Sequence, residues 1–178
     1  MNSIMKGYWQ NEKATNEIFV SGPDGRWMRT GDIAYVDDKG RFFIVDRMKE
    51  LIKVKGNQVA PAELEALLLE HPQIADAAVV GVTIKSEEVP RAYVVVQDGQ
   101  KADEREVEQW LAKRVSRHKR IVGGCVFVDA VPKNPVSELV RFGGMREGDA
   151  NLLQSGKILR KQLRERAQEE VGDKKAKL

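Results

Sequence analysis

Val45-Asp46-Arg47-Met48-Lys49-Glu50-Leu51-Ile52-Lys53-Val54-Lys55-Gly56-Asn57-Gln58-Val59-Ala60-Pro61-Ala62-Glu63-Leu64-Glu65 is the stretch on which the reading of this chain turns. Leu51 to Val54 predicts a short strand that stops at Gly56. Pro61, suited to the first turn of a helix, opens a helix with Glu63 near its start and Leu64, Leu67 and Leu68 on one face. His71-Pro72 closes it, and its apolar stripe needs a sheet to lie on.

The flanking sequence supplies that sheet. Downstream, Ile74 to Val82 and Ala92 to Val96 are β-branched runs, parted by a charged loop containing Glu87, Glu88 and Pro90. Asp103, with Glu106 three residues on, makes a capping box, and Val107, Trp110, Leu111 and Val115 follow at helical spacing. Gly123-Gly124 leads into a strand from Cys125 to Val131. The final helix repeats Leu159, Leu163, Ala167 and Val171 every fourth residue. From Leu51 the order β-α-β-β-α-β-α predicts an α+β fold, a small mixed sheet covered by helices. Upstream, Trp27 to Val36 reads as a strand, Asp37-Asp38-Lys39-Gly40 as a turn and Arg41 to Val45 as the return strand. Met1 to Val45 thus offers two or three strands and no helix to cover them, and is expected to belong to something larger.

Composition narrows the function classes. The 178 residues, 42% hydrophobic, suit one ordinary domain and a remainder. No apolar run approaches the ~20 residues that a membrane helix needs, and Met1 to Lys6 lacks the apolar core and cleavage site of a secretory leader. Cys125 is alone, so no internal disulfide forms, and with His71 and His118 it makes no zinc constellation. Lys and Arg number 30 against 27 Asp and Glu, a net charge of +3. Ser155 to Leu178 carries eight basic and four acidic residues, which leaves the rest at −1. So local an excess, without interleaved aromatics, argues against nucleic-acid binding.

Two further clusters carry chemistry. Arg29-Thr30-Gly31-Asp32 ends a strand at a carboxylate whose two oxygens suit vicinal hydroxyls, although alone Asp32 serves equally as a turn residue. Ser155-Gly156-Lys157-Ile158-Leu159-Arg160-Lys161 places a lysine beside a glycine before the last helix. It is not a Walker loop, because Asn151 stands where the first glycine belongs and Ile158 where Ser or Thr belongs. Together with Pro132-Lys133-Asn134-Pro135 and the opening stretch, these motifs resemble those of the adenylate-forming ligases, in particular the acyl- and aryl-CoA synthetases of the coumarate:CoA ligase type. The resemblance runs from Met5-Lys6-Gly7-Tyr8-Trp9 to the last helix.

The resemblance implies a ligase that activates a carboxylic acid with ATP as an acyl-adenylate and passes it to coenzyme A, with Mg²⁺ expected in the intact enzyme. A small C-terminal domain rotates about a hinge between the two steps. Residue by residue, Asp32 is expected on the ribose hydroxyls and Arg47 on ribose or phosphate oxygens. Lys49 is the expected hinge, Lys53 approaches the adenylate during thioester formation, and Lys55 and Gly56 flank the pantetheine path. Lys157 is expected to stabilise charge at the α-phosphate during adenylation, with Ser155 capping the helix that Lys157 begins and the helix dipole adding to its field. Lys119 or Arg120 is a further candidate for a coenzyme A phosphate. By resemblance, residues 1–46 are the remnant of the large AMP-binding domain and 47–178 the lid.

Two departures from the family qualify this. The large domain is absent, so the chain is expected to be inactive by itself. Val136 to Gln154, 19 residues, interrupts a motif that is continuous in the family. Its Val-Ser start and Gln end can be written with splice-site codons, and Ala150-Asn151 with a branch-site-like one, which points to a translated intron. The interruption is expected to loosen Lys157 and to burden adenylation more than thioester formation. Ala176-Lys177-Leu178 resembles the Ser-Lys-Leu peroxisomal address, read by an import receptor; otherwise the chain is expected in the cytoplasm. The rival to the ligase reading is a non-catalytic interaction module derived from the same lid.

Overall fold

A computed structural model describes residues 4–134 and 156–176. By its internal contacts the chain forms two units, Met1–Lys49 and Glu50–Leu178.

The first unit opens with helix α1 (Glu12–Ile18), whose first turn is capped where Asn11 Oδ1 accepts from the Ala14 N–H at 3.0 Å. Strands β1 (Phe19–Gly22) and β2 (Gly25–Met28) pair antiparallel, and so do β3 (Asp32–Val36) and β4 (Phe42–Arg47). The sequence reading allowed no helix here and ran one strand from Trp27 to Val36. In fact a seven-residue helix forms, and the chain turns between Met28 and Asp32, so Trp27 belongs to a different hairpin from Val36. Arg47 is the last residue of β4, opposite Asp32, which keeps it in the first unit, beyond the expected boundary at Asp46. No described residue of this unit is buried.

The second unit begins with a hairpin of β5 (Ile52–Val54) and β6 (Asn57–Val59). Its two-residue turn has Lys55 at φ +48° and Gly56 at φ +82°, the positive pair of a type I′ turn whose twist matches the strands. The sequence pattern marks no strand at β6, between the stop at Gly56 and the helix start at Pro61. Helix α2 (Pro61–Leu69) follows, and buries Leu64 and Leu68. Strands β7 (Ile74–Ile84) and β8 (Glu87–Val96) form a long hairpin closed by Lys85 and Ser86, both at positive φ. The expected charged loop is therefore strand: Glu87 pairs with Ile84 and Pro90 with Gly81. Helix α3 (Glu104–Ala112) is capped by Asp103, whose Oδ1 accepts from the N–H groups of Arg105 and Glu106. A 3-10 turn, Arg117–Lys119, precedes β9 (Cys125–Phe127), which lies parallel to β8 and stops short of the expected Val131. Helix α4 (Arg160–Ala176) ends the unit.

The sheet order is β7-β8-β9, mixed in direction as expected, and its pleat sorts the core. Ala77, Val79, Ala92 and Val94 face one way, against Leu64 and Leu68 of α2 and Val107 and Leu111 of α3. Ala78, Val80, Val82 and Tyr93 face the other, against Leu163, Ala167 and Val171 of α4. Each fully buried aliphatic side chain contributes about 1.5–3 kcal/mol of transfer free energy, so helices on both faces hold the sheet. No helix among the described residues is long and apolar enough to cross a membrane.

Candidate functional site

In the first unit, Asp32 and Arg47 are cross-strand partners at the end of the β3–β4 ladder. Arg47 Nε lies 3.4 Å from Asp32 Oδ1, and both side chains keep solvent access. The Asp32 N–H donates to Thr30 Oγ1 at 3.2 Å, which fixes the backbone beneath the carboxylate. The pair joins a two-oxygen acceptor to a planar five-donor cation, a combination that can meet hydroxyls and phosphate oxygens of one ligand. Lys49 is exposed in the turn that follows β4, next to the division between units.

In the second unit, Lys53 is the exposed residue of β5 between buried Ile52 and Val54, and its N–H donates to Glu88 Oε2 at 2.9 Å. Lys55 projects from the turn and pairs with Glu87 at 3.4 Å, with both groups largely exposed. Beside the turn is an open groove of about 610 Å³ whose polar lining includes Lys55, Asn57, Glu87, Arg117, His118 and Arg120. Lys119, a sequence candidate, is turned away: its Nζ donates to both carboxylate oxygens of Glu63, at 2.6 and 2.7 Å. Among the described residues neither Arg117 nor Arg120 forms an ion pair, so the groove keeps two free guanidinium groups. Arg117 was missed in the sequence, although the run Arg117-His118-Lys119-Arg120 was the available signal.

Lys157 is exposed, but it does not begin a helix. It sits in an extended segment before α4, where Ile158 bridges antiparallel to Lys133, the Asn134 N–H donates to the Lys157 carbonyl at 3.0 Å, and the Leu159 N–H donates to the Pro132 carbonyl at 2.9 Å. The expected helix-dipole contribution is thus displaced to Arg160, the first helical residue. Gly156 is required by this geometry, since an added Cβ there would lie 2.2 Å from the Asn134 carbonyl oxygen. Ser155 and residues 136–154 lie outside the described residues, as do Lys177 and Leu178; Ala176 ends α4.

Cys125 is buried, and burial, followed by the nearby Glu108 and Glu104 carboxylates, pushes its thiol up to about 12. It is no nucleophile near neutrality.

Residues 63–137 match the AMP-binding enzyme C-terminal domain. The chain is 50% identical over 141 residues to a probable 4-coumarate–CoA ligase 3 of Dictyostelium discoideum, an alignment that covers 78% of this chain and 25% of that protein. The chain belongs to the adenylate-forming, AMP-binding enzyme family. It is also 51% identical over 140 residues to the peroxisomal OPC-8:0-CoA ligase 1 of Arabidopsis thaliana, covering 78% of this chain and 25% of that one. Among solved structures, ATP-bound MatB from Rhodopseudomonas palustris superposes with a TM-score of 0.73 at 27% identity, over 93% of this chain and 29% of that chain. The chain therefore spans about a quarter of the length of these curated relatives. These two curated relatives are CoA ligases, and the MatB structure holds ATP.

Proposed function

We propose that this chain supplies the C-terminal lid of an acid:CoA ligase, and that the lid serves adenylation with Lys157 and thioester formation with Lys53 and the Lys55–Gly56 turn. One observation carries the reading. Lys53 and Lys55 lie beside Glu88 and Glu87 at the closed end of the β7–β8 hairpin, whereas the Lys157 segment lies beside Asp76 near its open end. Asp76 and Thr83, the partner of Glu88, are seven strand residues apart, which separates the two lysine sites by roughly 20 Å at ~3.3 Å per residue. A single phosphate-sized site cannot take both at once, so their use in one reaction requires the lid to reorient between steps. The exposed turn at Lys49 supplies the hinge.

In this assignment the Asp32 carboxylate accepts hydrogen bonds from the ribose hydroxyls and the Arg47 guanidinium donates to the neighbouring oxygens. Gly56 leaves the pantetheine arm a path with no side chain, and the Arg117 and Arg120 guanidiniums meet the phosphates of the coenzyme A nucleotide. Lys157 places a positive charge where negative charge develops on the α-phosphate, and its loss raises the adenylation barrier by about 3 kcal/mol. Among the described residues no group of three or more His, Cys, Asp or Glu side chains is placed to hold a metal ion; Mg²⁺ is expected in the intact enzyme, where one or two carboxylates and the substrate phosphates suffice to hold it. The 178 residues by themselves have no turnover. The terminal Ala-Lys-Leu directs the chain to peroxisomes, in keeping with the name of the Arabidopsis relative, and a reporter bearing the last residues that stays cytosolic overturns that address.

The test joins the chain to the N-terminal portion of a coumarate:CoA ligase and measures each half-reaction. Lys157→Ala lowers acyl-adenylate formation about 10²- to 10³-fold and spares thioester formation from preformed adenylate, whereas Lys53→Ala shows the opposite bias. Equal losses in both steps for both variants count against the two-face reading.

A further inference from the structure

β7 is an outer strand. On the side away from β8, its backbone is met by side chains from distant parts of the second unit. The Val79 N–H donates to Glu65 Oε1 at 2.8 Å, and the Val79 carbonyl accepts from Arg160 Nη1 at 3.0 Å. Arg160 closes the triangle by donating Nη2 to Glu65 Oε2 at 2.8 Å. Three residues earlier on the same strand, Asp76 Oδ2 accepts from Lys133 Nζ at 2.6 Å. The four charged side chains are only 10–20% exposed. Ion pairs so far withdrawn from water carry a desolvation penalty that good geometry must offset, which sets them apart from solvated surface pairs.

The two pairs share a target. Lys133 lies on one side of the antiparallel bridge that carries Lys157, and Arg160 follows directly on its other side, after Ile158 and Leu159. We propose that Asp76–Lys133 and Glu65–Arg160 form a two-point clamp that fixes this bridge to the edge of β7 and so sets the position of Lys157. Glu65, Asp76, Lys133 and Arg160 are then positioning residues for adenylation, a role that rests on the Lys157 assignment above. The clamp also reverses the expected effect of the interruption. Asn134 and Gly156, on either side of it, are held side by side, so Lys157 stays placed with or without residues 136–154. Their removal leaves Pro135, Ser155 and Gly156 as a three-residue hairpin turn, a length that antiparallel strands accept.

Hydrogen exchange on the 178-residue chain tests the clamp without reference to catalysis. Asp76→Asn and Arg160→Lys are expected to speed exchange of the Asn134 and Leu159 amides at least tenfold, while amides of α3 keep their protection. Arg160→Lys retains the charge but cannot bond both Glu65 oxygens and the Val79 carbonyl, and Asp76→Asn changes a partly exposed side chain, so the fold survives in both. Deletion of 136–154 is expected to leave both amides protected. Unchanged bridge exchange in both substitution variants overturns the clamp, and faster exchange in the deletion overturns its independence from the interruption. In the joined enzyme, the clamp variants lower adenylate formation at least tenfold and leave thioester formation unchanged. Equal loss in both steps, or no loss where Lys157→Ala is impaired, overturns the positioning role. If Lys157→Ala itself leaves adenylation intact, the catalytic assignment fails and the exchange data still decide the clamp.

Discussion

Lys55 and Gly56 show how much a single backbone conformation asks of a residue. Both occupy the left-handed region, which costs a side-chain-bearing residue about 1–2 kcal/mol, and the sequence meets the demand with glycine at one position only. Gly56→Ala should therefore lower the unfolding free energy by about 1 kcal/mol in urea titration. Lys55→Asn should raise it by a few tenths, since asparagine tolerates this region better than lysine. Cys125 gives a second residue-scale expectation. With its thiol at about 12 and its side chain buried, the native chain should resist a thiol reagent at pH 8 and react fully once denatured. Rapid labelling of the folded chain would show that the β8–β9 edge opens.

At the scale of the element, α4 is fastened twice over. Its apolar residues Leu163, Ala167 and Val171 pack on the sheet, and Glu170 receives hydrogen bonds from Arg166, buried Arg91 and the Tyr93 hydroxyl. Burial pushes the Glu170 carboxyl up, but the bonds from Arg166, Arg91 and Tyr93 outweigh it and hold the group below its ordinary 4.5. Because the folded value is depressed, this contribution is complete above the unfolded value near 4.5 and is lost as pH falls through the folded one. Unfolding free energy should therefore drop below about pH 4.5, and Glu170→Gln should flatten that part of the profile. Leu163→Ala, which empties a fully buried site, should cost about 2–5 kcal/mol at any pH.

The elements were not equally legible in the sequence. Periodicity revealed α2, α3 and the apolar runs of β7 and β8, because each buries one face against the sheet. It failed for β6, where Asn57 and Gln58 are exposed and only Val59 is buried, and for the Glu87–Pro90 half of β8, whose charges and proline look like a loop. Helix α1 buries nothing, so no stripe announced it; Asn11 before Glu12 was its one signal. The start of α4 was misjudged because Leu159 keeps the four-residue spacing of the helix while lying in the extended segment before it. The lysines of the site were visible as motif positions. The groove arginines and the Glu65–Arg160 contact were not, since 95 residues separate those partners and no local pattern links them.

The whole molecule is uneven in stability. Every buried apolar side chain among the described residues belongs to Glu50–Leu178, and none to Met1–Lys49. Residues 50–178 alone should accordingly unfold in one cooperative transition followed by Trp110 fluorescence, whereas 1–49 alone should show no cooperative melt. A broad, non-cooperative melt of 50–178 would place essential packing elsewhere.

The bridge between Lys133 and Ile158 has a practical consequence. Asn134 and Gly156 lie side by side, and the Asn134 N–H donates to the carbonyl of Lys157, the residue after Gly156. Lengthening what runs between two such anchored points adds only about 0.6 kcal/mol per doubling. This makes the connection between them a port: an epitope, a fluorophore-binding peptide or a small reporter domain spliced in there should ride on the second unit, with the sheet and the placement of Lys157 left as they are.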